Sequence, residues 1–301
     1  MPAPSTPFAI HQLETPELSM GCWLEGPQDA PVVVLLHGFP YDAHAYAHVV
    51  PRLLQAGLRV VVPWLRGFGP TRFVSAQTLR SGQQAALAQD VRALLDALNV
   101  PHALLAGYDW GGRAACAMAA LWPERVKGLV VDGYSIQQIA RAQQPQRPEV
   151  ERRYWYQFYL HGERGRDGLT QYRHELCRQL WQDWSPGWPF SDSDFAQTAS
   201  AFDNPDFVEV VVHSYRHRFG LVAGDPALEH LEQQLACQPI ITVPTLSVHG
   251  GADTVVPPAV SEHEHGYFRA DYRRMVLAGV GHNLPQEAPD AFANAILSRM
   301  A

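Results

Sequence analysis

The chain has no uncharged apolar run approaching the ~20 residues that a membrane-crossing helix needs, so no membrane anchor is expected. Its opening, Met1-Pro2-Ala3-Pro4-Ser5-Thr6-Pro7, lacks the basic and apolar regions of a secretory leader and reads as a short disordered lead-in. Positive charge is in short supply: 23 Lys and Arg stand against 30 Asp and Glu, a net charge of −7. With a pI near 6.0, that balance disfavours nucleic acid and anionic membranes as partners. Cysteine is scarce as well. Cys22, Cys116, Cys177 and Cys237 lie far apart with no CxxC spacing, which suits reduced, mostly buried thiols in a cytoplasmic protein. No HExxH motif or Cys/His framework surrounds the close pairs His44 with His48 and His263 with His265. They read as surface histidines, and no metal is expected. A GxSxG elbow is also missing, which argues against a serine-type esterase.

What is present suits a globular protein. An apolar share of 47% and a charged share of 18% fit a packed core. At 301 residues the chain suits one large α/β domain carrying an insertion, or two unequal domains. Strand-like runs alternate with helical patterns over the first 130 residues, the mark of βαβ units and a largely parallel sheet. Pro31 to Leu36 is the clearest buried strand, followed by Leu58 to Pro63 and Val126 to Val131. Ser81 to Leu98 carries Leu87, Val91, Leu94, Leu95 and Leu98 at helical spacing, with Ser81 as the N-cap candidate. From about Tyr134 to Gly224 the rhythm breaks into aromatic, Gln- and Arg-rich helical stretches. Strands resume at Val243 to Val248 and Tyr272 to Leu277, and a last helix is expected over about Glu287 to Met300. The expectation is a core of residues 1–133 and 225–301 with a helical cap at 134–224.

The motif that carries chemistry is Gly107-Tyr108-Asp109-Trp110-Gly111, which places a carboxylate at a sharp strand-to-helix turn. The apolar run His102 to Ala106 precedes it, and an alanine-rich helix from Gly112 to Trp122, ended by Pro123, follows. An Asp nucleophile needs three helpers, and each has a candidate. His37-Gly38-Phe39-Pro40 follows the strand Pro31 to Leu36 and can present the Phe39 N–H beside that of Trp110 as an oxyanion hole. Gly279-Val280-Gly281-His282 offers an imidazole as general base for water. His249-Gly250-Gly251-Ala252-Asp253 offers a carboxylate to orient it; Asp132, at the end of another strand, is the alternative. Asp253 is favoured because its glycine run lets the loop fold over the sheet end.

With these motifs in hand, the chain resembles the α/β-hydrolase superfamily over nearly all of residues 20 to 300. The likeness is to the branch of epoxide hydrolases, haloalkane dehalogenases and haloacetate dehalogenases. That resemblance implies a mostly parallel sheet flanked by helices with an inserted helical lid, a covalent ester on Asp109, and no cofactor. The leaving group divides the branch. An epoxide oxygen needs a proton donor, and a buried tyrosine can supply one. Tyr156, in Tyr156-Gln157-Phe158-Tyr159-Leu160, and Tyr215, in His213-Ser214-Tyr215-Arg216, fall where epoxide hydrolases resemble this chain and carry lid tyrosines. Haloalkane dehalogenases usually place Asn where Phe39 stands. Haloacetate dehalogenases tend to carry Arg where Trp110 stands, and His and Trp where Tyr156 and Gln157 stand.

The expected activity is therefore opening of an epoxide to a vicinal diol. Dehalogenation by the same Asp is the alternative, and a silent ligand-binding module the remote one. Phe39, Trp110 and Trp155 are candidate substrate contacts for a small, apolar or aromatic molecule, in a monomer or homodimer. One departure stands out: Val62-Pro63-Trp64-Leu65-Arg66-Gly67 lacks the Asp of the superfamily's Asp-x-Arg-Gly, a change expected to affect loop bracing.

Overall fold

The computed structural model describes residues 8–300, so the expected lead-in at residues 1–7 lies outside it, as does residue 301. The strands are β1 (Ile10–Glu14), β2 (Leu18–Glu25), β3 (Val32–Leu36), β4 (Arg59–Pro63), β5 (Arg72–Phe73), β6 (Ala103–Gly107), β7 (Val126–Val131), β8 (Thr245–Gly250) and β9 (Tyr272–Leu277). They form one sheet in the order β1-β2-β4-β3-β6-β7-β8-β9, with β5 added against β2. Pairing is antiparallel from β1 to β4 and parallel from β4 through β3 to β9.

The inner parallel strands are covered on both faces, which gives continuous apolar runs such as Val33 to Leu36 and Ala103 to Ala106, all fully buried, whereas the edge strand β9 is largely exposed. Each such Val or Leu contributes roughly 1.5–3 kcal/mol on burial. The flanking helices are α1 (Val50–Gln55), α2 (Gln84–Ala97) and α3 (Trp110–Leu121), then α4 (Ile139–Ala142), α5 (Pro148–Glu151), α6 (Trp155–His161), α7 (Glu163–Trp184), α8 (Asp192–Ala199), α9 (Phe207–His217) and α10 (Glu229–Ala236). The chain closes with α11 (Leu284–Glu287) and α12 (Pro289–Leu297). Between Tyr134 and Gly224 every regular element described is helical. No helix among the described residues is long and apolar enough to cross a membrane.

Register places the functional loops. Leu36 pairs with Gly107, so the loop after β3 and the turn after β6 leave the sheet side by side. Gly250 pairs with Leu277, which does the same for the loops after β8 and β9. Ligand sites in parallel sheets gather at these carboxyl ends.

Three local expectations need correction. Helix α2 begins at Gln84 rather than near Ser81, and its N-cap residue, Gln83, makes no side-chain cap. The acceptor comes from a distant helix: Glu232 of α10 accepts the Ala85 N–H at 2.9 Å, while Ser81 Oγ donates to Gln83 Oε1. Strand β8 starts two residues later than Val243. The last helix is present but shorter, α12 over Pro289–Leu297, and the short α11 before it stands apart because Ala288 (φ −138°, ψ 57°) leaves helical geometry ahead of Pro289.

The missing Asp beside Arg66 is accounted for by other carboxylates. Arg66, 1% exposed, is gripped bidentately by Asp90 at 2.6 and 2.7 Å and by Glu17 at 3.1 Å. The buried Asp42 takes over the loop itself. It accepts the Trp64 indole N–H at 3.0 Å, the His44 ring N–H at 2.8 Å and the Thr198 hydroxyl of α8 at 2.9 Å. His44 is thereby committed to a carboxylate.

Candidate active site

Asp109 sits between β6 and α3 with φ 52° and ψ −121°, a conformation an L-residue holds only under constraint. Its N–H donates to Asp132 Oδ2 at 2.7 Å, which pins the turn. Burial drives the Asp132 carboxyl up to about 6, against the opposing pull of that N–H. The turn also needs missing side chains. A Cβ on Gly107 would lie 2.6 Å from the Gly111 carbonyl carbon, and one on Gly111 only 1.9 Å from the Leu36 oxygen. Gly111→Ala is therefore expected to cost about 3 kcal/mol, the upper end of overpacking. A thermal melt reads it as a Tm drop of roughly 5 °C or more; a wild-type Tm would contradict the fit.

The loops after β8 and β9 meet at the same place. Asp253 Oδ1 accepts the N–H groups of Val255 and Val256, both at 2.8 Å, which fixes the carboxylate. Its other oxygen accepts His282 Nδ1–H at 2.7 Å. The far nitrogen, Nε2, lies 3.8 Å from Asp109 Oδ2 and makes no hydrogen bond among the described residues. Of the two acids offered by the sequence, Asp253 touches the imidazole and Asp132 braces the elbow. The His282 N–H donates to Ser185 Oγ at 2.9 Å, and that hydroxyl donates to Glu287 at 2.6 Å. The imidazole edge packs against Trp184, ring centres 5.1 Å apart.

The electrostatics follow from this geometry. Burial opposes the His282 cation, yet Asp253 and Asp109 on either side hold its pKa well above the ordinary histidine value. Burial likewise opposes the Asp109 anion, but His282, Arg113 and the Phe39 N–H outweigh it and keep the pKa below the ordinary carboxylate value. Asp109 and Asp253 thus flank the imidazole at its two nitrogens.

Phe39 N–H donates to Asp109 Oδ1 at 2.8 Å. Trp110 opens α3, directly after the carboxylate. The Phe39 ring stacks on Trp110 (5.7 Å) and meets Tyr215 edge-on (5.5 Å). Tyr156 on α6 and Tyr215 on α9 are both buried, with rings perpendicular at 5.3 Å. Tyr156 Oη accepts from Gln157 Nε2 at 3.0 Å, while Tyr215 Oη meets no partner among the described residues. Burial above all, and then nearby anionic charge including that of Asp109, raises both phenols, so both stay protonated donors.

Trp155 is not gathered in. It is 38% exposed and lines an open surface depression with Trp184 and Asp253. Trp184, Ser185 and Arg113, by contrast, carry no motif that would have marked them. Among the described residues no group of three His, Cys, Asp or Glu side chains could hold a metal.

A family model described as alpha/beta hydrolase fold matches residues 31–289. A solved epoxide-hydrolase candidate from Klebsiella pneumoniae is 45% identical, with a TM-score of 0.93 over 96% of each chain. Epoxide hydrolase A of Mycobacterium tuberculosis is 25% identical over 90% of this chain and 91% of its own length. The haloalkane dehalogenase of Mycobacterium marinum is 35% identical over 42% of this chain and 43% of its own.

Proposed function

The chain belongs to the alpha/beta hydrolase fold family and is a hydrolase, and we propose that it opens epoxides to vicinal diols through an ester on Asp109. The observation that carries this reading is the pair of buried tyrosines, Tyr156 and Tyr215, packed on the ring of Phe39, whose N–H holds Asp109. A halide leaves without a proton; a ring oxygen does not. The names of the relatives from Klebsiella pneumoniae and Mycobacterium tuberculosis support it too.

Phe39 N–H already holds Oδ1, so the free Oδ2 attacks a ring carbon. The carbon–oxygen bond breaks as the oxygen takes a proton from Tyr156 or Tyr215, giving a hydroxyalkyl ester. Oδ1 is then the ester carbonyl oxygen. His282, oriented by Asp253, takes a proton from water as hydroxide adds to that carbonyl. The Phe39 and Trp110 N–H groups hold the oxyanion. Collapse releases the diol oxygen, which takes the proton back, and restores the Asp109 carboxylate and the tyrosine.

In this reading residues 134–224 form the cap, and Phe39, Trp110 and Trp184 give a pocket for an apolar or aromatic substrate. The protein works without metal or cofactor, in the cytoplasm, as monomer or homodimer. Dehalogenation is the second reading, favoured by the buried Trp110 indole N–H, which meets no acceptor among the described residues and could solvate a halide.

The tyrosines separate the two. Tyr215→Phe and Tyr156→Phe should each lower kcat on styrene oxide by about 10²-fold, the scale of lost general-acid help. Turnover of 1-bromobutane or chloroacetate, if any, should be untouched. Wild-type epoxide rates in both variants, or activity on the halides alone, would sink the epoxide reading.

A further inference from the structure

Behind Tyr215, between α9, α10 and the chain entering α2, lies a cavity of about 240 Å³. Arg113, Arg218, Glu229 and Glu232 are among the residues that line it. Arg113, on the first turn of α3, is 8% exposed. Neither its guanidinium nor that of Arg218 makes a hydrogen bond or ion pair among the described residues; the Nε of each and Nη2 of Arg218 are shut off from solvent, which leaves the other guanidinium nitrogens to face the cavity. Burying charged donors without acceptors is costly, so chains seldom leave them so. The two cations also repel: burial, then the charge of Arg218, pulls Arg113 down to about 10, with Asp109 and Asp132 offsetting only part. The carboxylates of the same lining are engaged elsewhere. Glu232 accepts Ala85 N–H at 2.9 Å and the amides of Gln84 and Gln83 at 3.1 and 3.3 Å, and Glu229 accepts from Gln233.

We propose that this cavity binds the carboxylate of a small organic acid between Arg113 and Arg218. A planar carboxylate suits guanidinium donors. Glu229 and Glu232 in the same lining favour a monoanion over dianionic phosphate, since a second negative charge would add to theirs. The Arg218 guanidinium lies over the Tyr215 ring, 4.6 Å from its centre, so the cation that would hold the acid also packs on the tyrosine proposed as proton donor. Two sources share this chemistry: an acid group carried by the substrate itself, or a separate organic acid.

Titration calorimetry on the whole protein with hexanoate, hexanamide and inorganic phosphate tests it, whatever reaction occurs at Asp109. Wild type should bind hexanoate, at least tenfold more tightly than either hexanamide or phosphate. Arg218→Gln should weaken hexanoate by about tenfold or more, the scale of a hydrogen bond to a charged group. Glu229→Gln, which removes a negative charge from the lining, should tighten it. Without acid, Arg218→Gln should melt no lower than wild type, because it removes unpaired buried donors. No hexanoate binding to wild type, equal binding of the amide, tighter binding of phosphate, or unchanged affinity in Arg218→Gln would overturn the proposal. Turnover of an epoxide that carries a carboxylate, set beside that of styrene oxide, then separates the sources. A fall in kcat/KM of Arg218→Gln confined to the acid-bearing epoxide assigns the site to an acid group of the substrate, and an equal effect on both epoxides to a separate acid.

Discussion

Asp109→Asn is expected to lower turnover by about 10⁴-fold or more, the scale seen when a catalytic nucleophile is removed. The amide keeps the shape, and Asn tolerates positive φ better than most residues. The fold should therefore survive, and circular dichroism should match wild type. What goes is the anion. An amide oxygen cannot displace a ring oxygen, and His282 loses one of the two charges that keep it protonated. NMR should then show the His282 pKa falling while Asp253 still holds it above its free value. Residual activity near wild type in the freshly purified variant would place the nucleophile elsewhere. Slow recovery on storage would mean that the site deamidates its own Asn.

His282→Gln is expected to stop the reaction halfway. Asp109 still attacks, but no base activates water, so the ester accumulates and steady-state turnover falls by about 10³-fold or more. Intact mass settles the chemistry. An epoxide adds its whole mass to the protein, whereas an alkyl halide adds its mass less HX. Labelling by halides alone would refute the epoxide reading; no label from any substrate would revive a ligand-binding role.

The pH behaviour follows from the same charges. Alkylation needs the Asp109 anion and fades only as pH falls through its depressed pKa. Ester formation neutralises Asp109 and removes one support of the His282 cation, so its pKa drops within the intermediate and a base becomes available. Single-turnover hydrolysis should rise with pH through that lowered value. Stability has its own sign. The folded His282 pKa exceeds the unfolded one, so its contribution is whole below about 6.5, the ordinary histidine value, and lost as pH climbs through the folded value. Tm against pH should be flatter on the alkaline side in His282→Gln.

Much of the fold was readable because parallel strands buried on both faces leave unbroken apolar runs, as in β3, β6 and β7. The site was readable where chemistry depends on a short stretch of chain. The glycines around Asp109 and the loops carrying Phe39 and Asp253 each follow a buried strand, His282 follows the exposed edge strand β9 and is marked by the glycines before it, and the sheet register brings them all to one edge. What depends on distant chain was not legible. The true cap of α2 is Glu232, far along the sequence, so Ser81 was the wrong choice. Strands β1 and β5 are edge pieces with exposed faces and carry little apolar signal. Arg113 and Arg218 look like ordinary arginines until folding buries their donors together. Trp155 and Trp184 look alike in sequence, yet only one turns inward.

The hydrogen bond from His282 to Ser185 has a further consequence. Ser185 caps the end of α7, inside the helical stretch, while His282 belongs to the loop after β9. The general base is thus clamped at one end by the sheet and at the other by the helices that cover it. The stretch of main chain that carries the base is therefore held in common by the sheet and by α7, so a change in the packing of either is felt at His282.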